Sequence, residues 1–428
     1  MTTHPGSTLE LTIEKPVAGG RMLARNAGQV VLVAGAIPGE RVRVRIERAA
    51  KRLLFADTVD VLDPSPFRRV PASDPACGGL LLSHVQYEHQ LDLKAEILRE
   101  TFSRVGKLTL SARPVVTSSP EQAYRMRARL HAVRGHVGFF REGSRAICDA
   151  GPTRQLSPEA LPAVLRLMAS LGAASGLIEA VTIVEDIPGD RRVALLEVAT
   201  GERLRVPAGG GAAVEGLDGI CLRTRDRVVT LQGQSSVVDV GGALGLPGTE
   251  GREIRWTRSV ASFFQGNRFI VGALLRSVLG HVRGDRLADL YAGVGLFAVP
   301  LAARGARVVA IEGDPWSGAD LQTNALAWPT LEPRVTSVEE GLSDGAMSGL
   351  DCLVLDPPRT GVSPLALDRL RRLQAARVVY VSCEPATLAR DAAALVSSGY
   401  ELTALEAFDM FPNTPHIEAL AVFDATHR

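Results

Sequence analysis

The first 62 residues contain short segments in which apolar and polar positions alternate, separated by turn-forming residues. Segments such as LELTIEK, QVVLVAG and RVRVRIER have the two-residue period of half-buried strands, and stretches such as VAGG and AIPGE lie between them. Strands this short and this regularly spaced predict a small β-barrel over residues 1–62. The segment DPSPFRRVPASDP is rich in proline, serine and aspartate, and it predicts the first domain boundary.

The middle of the chain, residues 63–254, predicts a second domain built mostly of short strands. A helix is predicted at about 85–105, and we expect it to pack on the C-terminal domain. A second helix is predicted at about 157–172. The glycine-rich stretch LQGQSSVVDVGGALGLPGTEG predicts the second boundary.

From residue 255 to the end, strand patterns alternate with helical patterns. The strand candidates are RLADLYA, RVVAIEG, LDCLVLD, RVVYVSC, ELTALEAFDM and IEALAVFD, and the helical patterns lie at 296–304, 314–328, 364–374 and 385–397. This alternation predicts an α/β fold with a doubly wound, mostly parallel sheet. No helix separates the last two strands, so we expect the sheet to end in an antiparallel hairpin.

Composition narrows the class of protein only slightly. The sequence is 46% hydrophobic and 22% charged, and it contains no run of eighteen apolar residues, so we expect no membrane span. The first residues lack the pattern of a signal peptide. Five cysteines in a chain of 428 residues do not form a disulfide framework, and the cytoplasm is the expected compartment.

Charge is balanced overall, at +1, but arginines alternate with other residues in two strands. Arg41, Arg43 and Arg45 share one face of the first, and YRMRARL at 124–130 repeats this spacing. A solvated basic face explains one such strand. Two of them in a nearly neutral protein favour a phosphate-rich partner.

The segment DLYAGVGLFA at 289–298 follows a strand and opens a helix. Gly293 and Gly295 suit a tight turn that approaches a ligand, and Glu312, at the end of the next strand, can bind ribose hydroxyls. The same spacing fits a nicotinamide dehydrogenase. Asp289 and Tyr291 before the glycines favour an adenosyl ligand without a pyrophosphate.

Three further groups lie near predicted strand ends, where doubly wound folds bind ligands. Asp356 begins a rigid Asp-Pro-Pro rim followed by Arg359, whereas enzymes that methylate exocyclic amines carry an aromatic residue there. Cys383 precedes a proline that suits the first turn of a helix, and we expect the helix start to stabilise its thiolate. Glu418 lies among apolar residues, which makes it a candidate general base. Cys221 and Cys352 are interpreted as core residues.

These motifs together resemble those of the RNA 5-methyluridine methyltransferases. The resemblance rests on SFFQGNR, DLYAGVGLF, DPPRTG, SCEPATLARD and DMFPNTPHIEAL, which occur in the family's order. It implies a Rossmann-like class I methyltransferase domain over 255–428, a central RNA-binding domain over 63–254, and an N-terminal OB-like TRAM barrel. It spans nearly the whole chain and is weakest between about 150 and 250.

The resemblance also implies a mechanism and a set of site residues. Cys383 would attack C6 of a flipped uridine, C5 would take the methyl group of S-adenosylmethionine, and Glu418 would remove the C5 proton. The cofactor would be bound by Gln265, Tyr291, Gly293, Gly295, Glu312 and Asp356. The arginine strands would hold the RNA backbone. We expect a monomer.

One departure from the family concerns the iron–sulfur cluster that many relatives hold with four cysteines. Here only Cys77 and Cys148 match those ligands, and Leu80 stands where a second cysteine is usual. Two thiols cannot provide four ligands, so we predict that no cluster is present. The two cysteines are interpreted as remnants of such a site or as core residues.

Several alternatives stay open from the sequence. Ribosomal RNA is the expected substrate because of the barrel, and transfer RNA is the alternative. Methylation of cytosine C5 is disfavoured because Arg359 replaces the cysteine that such enzymes carry after Asp-Pro-Pro. A non-catalytic RNA-binding assembly factor is disfavoured by the presence of both Cys383 and Glu418.

Overall fold

The N-terminal strands form a closed barrel in the computed structural model of the protein, which describes residues 4–50, 53–198, 213–225, 227–246, 248, 251–343, 347 and 349–426. The barrel strands are β1 (Thr8–Pro16), β2 (Met22–Asn26), β3 (Gln29–Ala34), β4 (Arg41–Ala50) and β5 (Leu53–Asp63). Their order is β1-β2-β3-β5-β4, and β4 pairs with β1 to close the barrel. The stretch AAKR at 49–52, which the sequence predicts as a further turn between strands, lies partly outside the described residues.

The arginines of β4 point outward as predicted, but acidic residues on neighbouring strands bind two of them. Val42, Val44 and Ile46 fill the barrel interior, so the residues between them face solvent. Arg41 pairs with Asp63, and Arg43 pairs with both Glu10 and Asp60. This face is therefore far less basic than the arginine spacing alone indicated.

The first helix joins the barrel segment to the C-terminal domain, as expected. Helix α1 (Tyr87–Thr101) continues into a π-helical turn, Phe102–Gly106. Leu98 and Phe102 are fully buried in a core that they share with residues of the C-terminal sheet. This helix therefore belongs to the packing of the C-terminal domain, although the chain enters that domain only later.

The middle of the chain forms a seven-stranded sheet with one helix on it. The elements after α1 are β6 (Val116–Thr117), β7 (Arg127–Val133), β8 (His136–Phe140), β9 (Ile147–Cys148), α2 (Ala160–Ser170), β10 (Ile178–Glu185), β11 (Arg192–Val198), β12 (Gly219–Arg223), β13 (Val228–Gly233), β14 (Ser236–Val240) and β15 (Arg255–Ser259), with 3-10 turns at Gly151–Thr153, Gly172–Leu177 and Gly241–Leu244. The sheet order is β13-β12-β11-β10-β7-β8-β9. Helix α2 covers one face, where Val164 and Leu167 are buried.

The glycine-rich stretch predicted as the second boundary is partly ordered structure. Within it, β14 pairs with β15 to form a separate two-stranded sheet. The residues of β14 alternate between buried and more exposed positions, as in other half-buried strands. How the chain divides into domains that fold independently remains a prediction.

The C-terminal part is the predicted doubly wound sheet. Its elements are α3 (Val271–His281), β16 (Arg286–Leu290), α4 (Ala298–Ala303), β17 (Arg307–Glu312), α5 (Pro315–Ala325), β18 (Leu331–Val335), α6 (Val338–Gly341), β19 (Cys352–Leu355), α7 (Pro364–Leu373), β20 (Arg377–Ser382), α8 (Pro385–Val396), β21 (Tyr400–Phe408) and β22 (Glu418–Ala425). Successive residues Leu353 and Val354 lie in different cores, which shows that both faces of the sheet are covered. The predicted α/β fold is confirmed.

The order of strands corrects one detail of the prediction. Strands run β18-β17-β16-β19-β20-β22-β21-β6, and β21 and β22 form the expected antiparallel hairpin. The hairpin does not end the sheet, because Val116 and Thr117 of β6 pair in parallel with Ala407 and Phe408. A two-residue strand contributed from the middle of the chain has no periodicity that could reveal it. Strand β18 and helix α3 were also not predicted.

The two cysteines that resemble cluster ligands are bonded to each other. Cys77 and Cys148 form a disulfide across a Cα–Cα distance of 5.8 Å. From the sequence, the two cysteines were expected to be remnants of a cluster site or core residues. They meet because the segment around Cys77 pairs with Arg141, next to the strand pair that carries Cys148. Among the described residues, no helix is long and apolar enough to span a membrane.

Candidate active site

A cleft of about 1100 Å³ lies between the carboxyl edge of the C-terminal sheet and the middle sheet. Six of the eight residues predicted for the site line it: Gln265, Tyr291, Glu312, Asp356, Cys383 and Glu418. They come from strand ends and loops that are far apart in sequence, and the sheet order brings them to one edge. Their roles remain predictions.

The two glycines of the loop after β16 have different functions in the structure. Gly293 has φ +57°, donates its amide to a Glu312 carboxylate oxygen at 2.7 Å, and has open space where a side chain would begin. Gly295 has φ +90°, and a Cβ there would lie 3.0 Å from Leu321 and 3.1 Å from Val299. Gly293 is thus suited to a close ligand, whereas Gly295 is required by packing.

Tyr291 lies in the same loop in a conformation that is unusual for its residue type. Its φ is +62°, in the left-handed region that favours glycine. A large aromatic residue held there costs conformational energy, and such residues concentrate at functional sites. The strain is consistent with a side chain that must face the cleft.

Carboxyl groups are concentrated on the C-terminal side of the cleft. Asp356 follows β19 and accepts a hydrogen bond from Gln265 Nε2 at 3.1 Å. Burial, and then the charge of Glu312, raise the pKa of Asp356 to about 7, against the effect of the Gln265 hydrogen bond. Asp289 lies beneath the loop, and its oxygens have no hydrogen-bond partner of normal geometry among the described residues, although the Ala298 amide faces it. Burial and the charge of Asp356 raise the pKa of Asp289 well above its usual value.

These carboxyl groups fit a cationic ligand. Besides burial, the charge of Glu312 raises the pKa of both Asp356 and Asp289, and the charge of Asp356 raises that of Asp289. Because these negative charges repel, a positive charge placed among them is stabilised. S-adenosylmethionine carries a sulfonium and an ammonium charge, and an adenosyl ribose could reach Glu312. The residues present therefore suit this cofactor, which supplies the methyl group when bound.

Cys383 follows β20 and is half-buried in the cleft. Its thiol pKa is raised to about 11, first by burial and then by the charges of Glu418 and Asp356. Any stabilisation of the thiolate by the start of α8 is therefore outweighed in the free protein, and that expectation stays a prediction. Glu384, the N-cap of α8, places its own carboxylate at that helix end, where it accepts from the Ala386 amide. The effect of these carboxylates on the pKa of Cys383, relative to that of the helix start, could not be judged from the sequence.

Arg359 is the cation that opposes this effect. Arg359 and Cys383 line the same cleft. The charge of the guanidinium, and then its hydrogen-bonding effect on the thiol, lower the pKa of Cys383, and the same charge acts in the lowering direction on the pKa of Glu418. In the sequence, Arg359 counted only as evidence against methylation of exocyclic amines and of cytosine C5. Its position directly after Asp-Pro-Pro, on the same strand end as Asp356, was the signal that could have assigned it to the site.

Glu418 opens β22 and is only 3% exposed. Burial and the charge of Asp356 raise its pKa well above the usual value of a glutamate. The register between β20 and β22 pairs Ser382 with Ala419, so Cys383 continues the strand directly opposite Glu418. Two residues separated by 35 positions thus become neighbours because their strands are antiparallel.

The loop before Glu418 is anchored by helix α1. Lys94 of α1 and Asp409 form an ion pair that excludes solvent completely. The Tyr87 hydroxyl donates to Asp409 at 2.9 Å, and the Gln90 side chain binds both the amide and the side chain of Asn413. The predicted packing of this helix therefore extends to the position of the candidate base.

The opposite wall of the cleft is basic. Arg125, Arg127, Arg129 and Arg223 line it, and Arg129 pairs with Glu197 at 2.8 Å. Burial and the charges of Arg258 and Arg223 lower the pKa of Arg127 to about 10. The Nε atom of Arg223 is buried without a partner in the part of the chain that the structure describes. This wall therefore has positive charge available for an anion.

Comparisons with known proteins agree with this geometry. A TRAM domain model matches residues 3–59, and a tRNA (Uracil-5-)-methyltransferase model matches residues 345–425. The chain is 32% identical to a 23S rRNA (uracil(1939)-C(5))-methyltransferase RlmD of Pseudomonas syringae pv. tomato, over 98% of this chain and 95% of that relative. The chain belongs to the RNA uracil-C5 methyltransferase family. A Pseudomonas putida relative of the same name is 33% identical, over 98% of this chain and 94% of that relative.

A solved structure of this methyltransferase family superimposes on nearly the whole chain. It is the tRNA (uracil-54, C5)-methyltransferase of Pyrococcus abyssi in complex with S-adenosyl-L-homocysteine. The identity is 25%, the TM-score is 0.73, and the match covers 97% of this chain and 100% of that one. The product of methyl transfer in that complex supports S-adenosylmethionine as the cofactor of this methyltransferase.

The residues present do not fit the iron–sulfur cluster of many members of this methyltransferase family. Cys77 and Cys148 are bonded to each other, and the other cysteines lie elsewhere in the fold. Among the described residues, no group of three or more metal-ligating side chains is arranged to hold a metal ion. The lack of a cluster remains a prediction from the cysteine count, and no step of the chemistry below involves one.

Proposed function

We propose that this protein methylates C5 of a uridine in 23S ribosomal RNA with S-adenosylmethionine, through a covalent bond between Cys383 and C6. The observation that supports this most directly is the register that places Cys383 opposite Glu418 beside a cofactor loop. A nucleophile and a base are then available on one side of the same pyrimidine ring.

The reaction balances with these two residues and the methyl donor, once the Cys383 thiol has released its proton to solvent. The Cys383 thiolate adds to C6, and the C5–C6 electron pair moves to give an enolate at C4–O4. C5 then attacks the methyl carbon, and the carbon–sulfur bond electrons neutralise the sulfonium to give S-adenosylhomocysteine. Glu418 takes the C5 proton, the C5–C6 double bond forms again, and the thiolate leaves. General-base help of this kind is worth about 10²–10⁴ in rate.

The thiol must lose its proton before it attacks. Asp356 and Glu418 are the carboxylates that face it, and Arg359 is the cation that stabilises the resulting thiolate. A cationic cofactor bound among the carboxyl groups would weaken their effect on the thiol. The thiolate should therefore form more readily when the cofactor is bound than in the free enzyme, which limits side reactions of the free enzyme.

RNA is proposed to enter along the basic wall. A uridine must be unstacked and flipped to reach the cleft, and the arginines opposite Cys383 would hold the adjoining phosphates. The relatives named above support ribosomal RNA, whereas the solved structure is of a transfer RNA enzyme, which keeps transfer RNA as the second candidate. A monomer remains the proposed oligomeric state. A ribosomal substrate would place the enzyme in the cytoplasm.

An RNA that contains 5-fluorouridine tests the covalent step. It carries fluorine where Glu418 must remove a proton, so the wild-type protein with S-adenosylmethionine should form an adduct that survives denaturing electrophoresis. Cys383→Ala should form none. Glu418→Gln should accumulate an adduct with ordinary RNA, because C5 deprotonation is blocked while addition is not.

The substrate is tested by nucleoside mass spectrometry of ribosomal and transfer RNA from cells with and without the gene. We expect 5-methyluridine to decrease in 23S RNA and to remain constant in transfer RNA. A loss of 5-methyluridine confined to transfer RNA would show that transfer RNA is the substrate and would leave the proposed reaction unchanged. A lower level of 5-methylcytidine, or an unchanged level of both nucleosides with no adduct, would overturn the proposed reaction.

A further inference from the structure

The loop that carries Arg359 is held in place by one face of helix α8. Thr387 Oγ1 donates to the Arg359 carbonyl at 3.3 Å. Arg390 donates to the carbonyls of Thr360, at 3.3 Å, and Val362, at 3.2 Å. These two side chains lie one turn apart on α8, so a single helical face binds the backbone of the loop.

Asp391 is at the centre of this attachment. Its side chain is completely buried and accepts hydrogen bonds from the Val362 amide at 3.1 Å and the Tyr380 hydroxyl at 2.7 Å. Its other oxygen accepts from Arg390 Nε at 2.8 Å. One carboxylate thus joins the loop to both α8 and strand β20. A buried charge with this many partners fixes geometry, because leaving any donor unpaired is costly.

The loop also approaches α8 so closely that only glycine fits at its nearest point. Gly361 has φ +74°, and a Cβ there would lie 2.6 Å from the Arg390 guanidinium and 2.8 Å from an Asp391 oxygen. Besides the hydrogen bonds, this close approach supports the conclusion that the loop is held in one position against α8. Helix α8 begins two residues after Cys383, so the nucleophile and the loop bearing its cation are aligned by the same helix.

We infer that Asp391 is a positioning residue that, with Arg390, seats the 357–362 loop so that the Arg359 guanidinium reaches the Cys383 thiol. Asp391 itself does not touch the cleft and acts only through this loop. The inference rests on Cys383 being the nucleophile proposed above. Three charged groups act on that thiol: Glu418 from β22, Asp356 from the end of β19, and Arg359 from the loop. Besides burial, the two carboxylates raise the pKa of the Cys383 thiol. Loss of the Arg359 charge should therefore make the thiol less reactive.

The test measures how fast iodoacetamide alkylates Cys383 as a function of pH, in the full-length protein without RNA. Cys221 and Cys352 are buried, and Cys383→Ala gives the background. In Asp391→Asn we expect the alkylation profile to move to higher pH, and kcat for RNA methylation to fall about 10- to 100-fold, as a displaced catalytic group causes. The KM for S-adenosylmethionine should not change.

Arg390→Gln provides a second variant if Asp391→Asn folds poorly. Half of the Arg390 side chain is exposed, so this change should be tolerated, and it should move the profile in the same direction. Asp368→Asn is the matched control. Asp368 forms an exposed pair with Arg372 on helix α7, and its loss should leave both the profile and kcat unchanged.

A double-mutant comparison decides whether Asp391 acts through Arg359. If it does, Asp391→Asn should have no further effect on alkylation or kcat in an Arg359→Ala background. The inference would be overturned if the alkylation profiles of both Asp391→Asn and Arg390→Gln matched that of the wild type. It would also be overturned if the effects of Asp391→Asn on alkylation and kcat added fully to those of Arg359→Ala. Because alkylation requires no RNA, failure of this inference can be distinguished from failure of the proposed methylation. The latter would appear as absence of the 5-fluorouridine adduct in the wild-type protein.

Discussion

At the scale of single residues, surroundings outweigh local sequence at Cys383. The residue precedes a helix start, which alone would favour a thiolate by a fraction of a kcal/mol to about 1 kcal/mol. Burial and the charges of Glu418 and Asp356 act the other way and are larger, so the pKa rises to about 11. The free enzyme therefore holds a thiol, and its reactivity depends on what enters the cleft.

The first prediction concerns the pH dependence of the Cys383 thiol in the free protein. Below a pKa of about 11, the thiolate fraction rises tenfold with each pH unit, so the rate at which iodoacetamide alkylates Cys383 should rise about tenfold per unit between pH 7 and 9. Alkylation rates of the wild-type protein without cofactor or RNA, corrected for those of Cys383→Ala, measure it. A plateau below pH 8 would show that the free thiol ionises more easily than the structure indicates.

The second prediction concerns Asp356 and the cofactor. Its pKa of about 7 means that the carboxyl is neutral at pH 6 and charged at pH 8, and only the charged form attracts a sulfonium. The Kd of S-adenosylmethionine should therefore fall roughly tenfold from pH 6 to pH 8, as one charge interaction of about 1.4 kcal/mol provides. Isothermal titration calorimetry measures the change.

S-adenosylhomocysteine lacks the sulfonium charge and serves as the matched ligand for this test. Its Kd should change less over the same range, and Asp356→Asn should remove most of the difference between the two ligands. Equal pH dependence for both ligands would contradict an interaction between Asp356 and the sulfonium.

At the scale of elements, helix α1 controls a loop more than 300 residues away in the sequence. The buried Lys94–Asp409 pair joins α1 to the segment that leads into Glu418. The helix itself is recognisable from its pattern of apolar residues. Its partner is not, because a lysine on an otherwise amphipathic helix normally lies at the surface, and only packing against the β21–β22 loop buries this one.

The third prediction follows from that ion pair. Lys94→Met leaves Asp409 buried without its cation, and this should lower the free energy of unfolding by about 3–5 kcal/mol. Lys15 and Glu100 provide the control, because they also join α1 to the rest of the chain but are each about one-third exposed. Lys15→Met should cost less than about 1 kcal/mol. Urea denaturation compares the two, and equal effects would contradict the role assigned to the buried pair.

At the scale of the whole molecule, the cleft separates charge between its walls. Carboxyl groups of the C-terminal sheet suit a cationic methyl donor, and arginines of the middle sheet suit a polyanion. The two arginine strands that look alike in the sequence differ here. In the barrel, Arg41 and Arg43 already have acidic partners. In the middle sheet, Arg127 forms no ion pair within the described ranges, and Arg223 has a buried donor without a partner there.

The fourth prediction distinguishes these two basic strands. Arg127→Gln and Arg223→Gln should each weaken RNA binding and reduce the slope of log Kd against log salt by about 0.7, the effect of one phosphate contact in single-stranded RNA. Arg41→Gln and Arg43→Gln should leave the slope unchanged, because these side chains are already neutralised. Binding isotherms at several salt concentrations measure it. A larger effect from the barrel variants would move the RNA path to the barrel.

The sequence by itself determined the class of fold, the barrel and most strand ends, because these depend on local periodicity and on turn residues. It also identified Cys383, Glu418 and Asp356, since each follows or opens a strand with a recognisable motif. Only the tertiary structure decided their electrostatics: the raised pKa of Cys383, the importance of Arg359 and the neutralisation of Arg41 and Arg43. Charges interact through space and across strands, whereas a pattern along the chain records only each residue's own neighbours. The same reason explains why β6, the Cys77–Cys148 bond and the seat of the Arg359 loop on Asp391 became visible only in the folded protein.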